Sequence, residues 1–125
     1  MRLPTEDEEF LNARFPGSWT ISPSGNEGLL VIAGLAVNSA KFDRPTTDLL
    51  LRVPAGYPMS ALDMFYVDPP LRLHGGSYPA QADQFESHGS RQWQRFSRHL
   101  KVAWRPGVDC LKTFLAPILE ELLPH

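Results

Sequence analysis

Twelve prolines and nine glycines are spread through this 125-residue chain. Proline removes a backbone donor and clashes inside a helix, so their number points away from a helical bundle and towards strands joined by ordered loops. The length suits one domain, residues 1–125, and a chain of this size buries enough surface to form a core without staples. With 42% hydrophobic and 21% charged residues, the composition is that of a globule rather than a disordered segment. A single cysteine excludes a disulfide framework within the chain and suits a reducing compartment. No apolar run approaches the ~20 residues of a bilayer span, so no membrane partner is expected. The N-terminus, MRLPTEDEEF, is acidic where a signal peptide is basic, and the expected location is cytoplasmic.

Thr5 and Glu8 have the spacing of a capping box, and Phe10, Leu11 and Phe15 give a short apolar face, so residues 5–14 read as a helix. Strand-like runs follow at Ser18–Ile21, Leu29–Val37, Asp48–Val53, and Met64–Val67 continued by Leu71–Leu73. The SPSGNEG stretch reads as a hairpin connection and Gly34 as a bulge. The Pro69-Pro70 pair ends the fourth run or confines it to an edge. Residues 74–90 read as a long polar loop, and Trp93, Phe96 and Leu100 fall at i, i+3 and i+7, the spacing of a helical turn or two. A last helix is expected from Pro106, with Asp109 in its first turn. Val108, Leu111, Leu115, Ile118 and Leu122 form its apolar face, and Pro117 perturbs it. The expected fold is α+β, a four-stranded antiparallel meander covered by helices. Trp19, Phe42, Tyr57, Tyr66 and Trp104 are expected to pack in or around its core.

Chemistry is sparse. His74, His88, His99 and Cys110 are possible metal ligands, but no two share a ligand spacing, so no metal is expected. His74 and His88 read as exposed loop histidines. Gly75-Gly76 lacks the strand-to-helix context of a phosphate loop, and no cofactor is expected. Asp7, Glu8, Glu9, Glu120 and Glu121 read as solvated carboxylates. Arg91, Arg95, Arg98, Lys101 and Arg105 could contact phosphates while Trp93 and Trp104 stack bases. The formal net charge of -2 favours aromatics in the core and cations in water, so nucleic acid is not the expected partner. Cys110, in the first turn of the last helix, is the one thiol nucleophile available. Ser97 and His99 are the other nucleophile–base candidate, but i and i+2 on a helix point about 200° apart and could not meet there.

The order of these landmarks matters more than any one of them. A Tyr-Pro turn, a strand ending near a Pro-Pro pair, a loop, WRPG and a final amphipathic helix together resemble the ubiquitin-conjugating superfamily. More closely, the run YP...LDMFYVDPPLRL...WQRFSRHLKVAWRPGVDCLKTFL resembles bacterial ubiquitin-conjugating-like family E, over about residues 28–123. The resemblance implies a carrier or transferase for a ubiquitin-like modifier, with an adenylating enzyme, the modifier and a metalloprotease of the same pathway as partners and antiphage defence as the setting. Where relatives place a nucleophilic cysteine before the tryptophan, this chain offers Ser97 and His99. His74 falls where their motif histidine stands, without the asparagine that follows it in them. Cys110 lies beyond the tryptophan and does not match. The resemblance therefore implies either a serine oxyester with His99 or His74 as base, or a non-catalytic adaptor.

Overall fold

The computed structural model describes residues 2–99 and 102–124. The expected contributions of Leu100 and Lys101 lie outside the described residues. The elements run in the order α1 (Thr5–Arg14), β1 (Trp19–Ser24), β2 (Glu27–Ala36), β3 (Thr46–Pro54), β4 (Phe65–Asp68), β5 (Gln84–His88), β6 (Arg91–Phe96) and α2 (Leu111–Leu122). The strands form one antiparallel sheet in the order β1-β2-β3-β4-β6-β5.

The apolar strands feed two faces by strict alternation. Leu30, Ile32, Leu49, Leu51, Phe65, Val67 and Phe96 face one way into the main core. There they meet Leu11 of α1 and the stripe Leu111, Phe114, Leu115, Ile118 and Leu122 of α2. Leu29, Leu50, Tyr66 and Trp93 form a second, thin layer on the other face. No helix covers it. Long side chains do: the Arg91 guanidinium lies 4.3 Å from the Trp93 ring centroid, and His88 meets Tyr66 edge-on at 5.1 Å. Covering both faces explains why Leu29–Val37 reads as an almost unbroken apolar run.

The α+β class and helix-covered antiparallel sheet are as expected, but the sheet has six strands rather than four. Residues 84–88 are a strand within the supposed loop, and residues 91–96 are a strand rather than a helical turn. Trp93 and Phe96 are three apart because they enter opposite faces, which mimics a helical interval. The two strands turn at Gly89 and Ser90, with φ of 59° and 63°. A two-residue turn with both φ positive matches the twist of the flanking strands. Residues 71–73 contribute only an isolated bridge, Phe42 to Leu73.

The ends of the helices also differ from expectation. Pro4 occupies the N-cap of α1, so the Thr5–Glu8 capping box does not form. Asp7 is buried rather than solvated. The last helix starts at Leu111, not Pro106; residues 106–108 form a turn, and Val108 is exposed. Pro117 lies inside α2, as its spacing requires.

Gly34 does mark a bulge, where the β2–β3 register shifts between Ile32 and Leu35. Its φ is 64°, and its N–H donates to Asp48 Oδ1 at 2.8 Å. A Cβ there would meet nothing within 4 Å. Gly34→Ala should therefore cost only the left-handed backbone penalty, about 1 kcal/mol, read as a lowered urea midpoint with an unchanged slope.

Candidate functional site

Two of the candidate residues, Ser97 and His99, lie just past the end of β6. Residues 97–99 are neither helical nor paired in a strand, yet the backbone there remains tied on both sides. Ser97 N–H donates to Gln81 O at 3.0 Å, and Met64 N–H donates to Arg98 O at 3.1 Å. Arg98 reaches α2 through two 2.8 Å bonds to the Glu121 carboxylate and also donates to Ala80 O at 2.8 Å. Ser97 and Arg98 are thus held by the loop at 80–81, by the residue before β4 and by α2.

Ser97 is half-buried, and its hydroxyl has no hydrogen bond among the described residues. His99 is exposed, and its Nδ1 lies 2.7 Å from Asp63 Oδ1. Asp63 did not figure among the sequence candidates, because it is 36 residues away and no local pattern links the two. His74 is also exposed; its Nε2 sits 2.7 Å from Ser39 O. His88 is part of β5 rather than a loop, only 14% exposed, with Nε2 2.9 Å from Glu86 Oε1. Burial alone would raise the Glu86 carboxyl, but its hydrogen bonds with His88 and Arg95 outweigh that and hold it below the usual carboxylate range.

Beside His99 lies a cavity of about 420 Å³ between the sheet and α2. Phe65, Phe114, Pro117 and Ile118 form its apolar wall, with Arg98, His99 and Glu121 at its polar side. It is a separate feature from the Tyr57–Trp104 corner. There Trp104 Nε1–H donates to Pro58 O at 3.0 Å, and the two rings lie 6.2 Å apart. The Tyr57 hydroxyl donates to Asp7 Oδ2 and accepts from Leu111 N–H, both at 2.7 Å. Burial pushes Asp7 above the usual carboxylate range, with the Tyr57 bond opposing it. Burial, followed by the bond to Asp7, raises the Tyr57 phenol.

Cys110 is the N-cap of α2, half-buried, and not within its first turn. Its N–H donates to Thr113 Oγ1 at 2.9 Å, and that hydroxyl donates back to Cys110 O at 2.9 Å. No hydrogen bond joins Ser97, His74, His99 and Cys110 to one another among the described residues. The four arginines of the basic stretch are already paired: Arg91 with Asp48 and Asp68, Arg95 with Glu86, Arg98 with Glu121 and Arg105 with Asp109. Trp93 is buried, so it offers no stacking face. Among the described residues, no group of three or more His, Cys, Asp or Glu side chains could hold a metal. No described helix is long and apolar enough to cross a membrane.

Compared with known proteins, the chain matches the family described as Prokaryotic E2 family E over residues 3–124. No curated protein and no solved structure matches the chain.

Proposed function

The chain belongs to prokaryotic E2 family E, a ubiquitin-conjugating-like family, and from that premise we propose that it carries a ubiquitin-like modifier on Ser97, with His99 as base. The observation that carries the reading is the backbone at 97–99. It is not helical, so the wide separation that a helix would impose on residues i and i+2 does not apply. A non-helical segment can place residues two apart on one side, as an extended one does. Arg98 is bonded to Glu121 of α2, and both border the same cavity as His99.

In the proposed step, Ser97 Oγ attacks the activated carbonyl carbon at the modifier's C-terminus, and its proton passes to His99. An ester C–O bond forms as the bond to the leaving phosphate or thiol breaks. An acceptor amine then attacks the ester, the amide forms, and the serine alcohol leaves with the proton returned. The fixed backbone of Ser97 holds the nucleophile in place for that attack. An adenylating enzyme supplies the activated carbonyl; a metalloprotease of the same pathway acts on modifier or conjugate.

A second reading rests on a different observation. Met59, Val102 and Val108 are 66%, 69% and 59% exposed, in the two segments that the Trp104–Pro58 bond joins. Single exposed apolar residues are ordinary, but three near one corner suit docking, and an adaptor needs no nucleophile.

One reconstitution separates the two. With adenylating enzyme, ATP and modifier supplied, a hydroxylamine-sensitive adduct should form, vanish in Ser97→Ala and persist in Cys110→Ala. Loss in Cys110→Ala alone would move the nucleophile to the α2 N-cap. A stable complex without any adduct would leave the adaptor.

A further inference from the structure

The exposed contact between Asp63 and His99 looks, energetically, like a feature of no consequence. Their side chains are 55% and 63% exposed, and pairs in that setting add little to stability. Its construction is nevertheless specific on both sides. Asp63 lies between Leu62, which is buried in the main core, and Met64, whose N–H is bonded to Arg98 O. The φ of Met64 is 58°, a left-handed turn that swings the chain from Asp63 into β4. Opposite it, Arg98 is anchored to Glu121 and Ala80 O. Two fixed backbones therefore bring a carboxylate against one particular ring nitrogen at 2.7 Å.

Which nitrogen matters. A neutral imidazole carries one proton, and a carboxylate at Nδ1 draws it there as the donor. Nε2 is then left with its lone pair. Among the described residues, the other charged groups that line the cavity beside His99, Arg98 and Glu121, are bonded to each other at 2.8 Å. Resting on the reading of His99 as base, we infer that Asp63 is a positioning residue. It fixes the tautomer in which Nε2 accepts the serine proton, as an aspartate orients the histidine of a hydrolase triad.

The test uses the full chain labelled with ¹⁵N, above the range in which the imidazole is protonated. Two-bond ¹H–¹⁵N correlations should show His99 protonated at Nδ1 in the wild type and shifted towards the Nε2-protonated form in Asp63→Ala. Asp63→Glu should restore the original pattern. In the reconstituted transfer, Asp63→Ala should form the adduct about tenfold more slowly, the size expected when a general base is misdirected rather than removed. An unchanged tautomer in Asp63→Ala overturns the inference even where the adduct forms. So does a shifted tautomer with an unchanged adduct rate. A shifted tautomer in a protein that forms no adduct at all leaves the orientation of His99 by Asp63 standing and removes the transfer function instead.

Discussion

Gln94→Leu is expected to lower the unfolding free energy by about 4 kcal/mol, a large share of the roughly 5–15 kcal/mol available to a domain of this kind. Gln94 is fully buried. Its Oε1 accepts from Leu71 N–H at 2.7 Å, while Nε2 donates to Leu71 O at 2.9 Å and Ala82 O at 2.8 Å. Leucine fills nearly the same space but offers neither donor nor acceptor. Three buried backbone groups would lose their partners, each worth about 1–3 kcal/mol when left unpaired, with partial relaxation reducing the sum. The same amide ties down the segment between β4 and β5, so the loss has a local signature as well. Hydrogen exchange at Leu71 N–H should quicken in the variant by more than the global unfolding change accounts for. An unfolding free energy within about 0.5 kcal/mol of wild type would mean that the segment repacks around leucine without needing the bonds.

Gln94 also shows why part of the fold was hidden in the sequence. The four apolar runs were legible because their side chains alternate between two covered faces and because Gly34, Gly25 and the prolines punctuate them. The β5–β6 hairpin was not. β5, Gln84–His88, is a polar edge strand; its stabilisation comes from partners such as Arg95 bonded to Glu86 at 2.8 Å, which no hydrophobic period reports. Its neighbour β6 places Trp93 in one layer and Phe96 in the other, and an interval of three reads as helix. Gly89-Ser90 was the available signal, since a glycine-led pair between two runs is a hairpin turn. At the site, adjacency along the chain brought Ser97 and His99 to notice, and the order of landmarks led to the family. Asp63 and Asp7 stayed invisible, because each acquires its role only through a partner brought up by the tertiary fold.

Tyr57→Phe is the second large expectation, and its pH dependence carries more information than its size. The phenol joins three elements: it donates to Asp7 of α1, accepts from Leu111 N–H at the start of α2, and belongs to the turn after β3. Phenylalanine keeps the ring and its packing on Trp104 but leaves a buried carboxylate and a helix-end N–H without a shared partner. The expected loss at neutral pH is about 3 kcal/mol. Asp7 already titrates above the ordinary aspartate value because burial disfavours its charge, while the Tyr57 bond pulls the other way. A carboxyl raised on folding contributes stability that is fully present below the unfolded value and is lost as pH rises through the folded one. Removing the phenol takes away the opposing bond, so Asp7 should rise further. The decline in stability between about pH 4 and pH 7 should then be steeper in Tyr57→Phe than in wild type. Asp7→Asn supplies the control, since it keeps an acceptor for Tyr57 but has no charge to bury. In the Tyr57→Phe background, Asp7→Asn should recover part of the neutral-pH loss and flatten the pH dependence. Urea midpoints for the four members of the cycle at both pH values check this directly. A Tyr57→Phe loss that is the same at both, and untouched by Asp7→Asn, would place the cost at Leu111 N–H alone and remove Asp7 from the junction of α1 with α2.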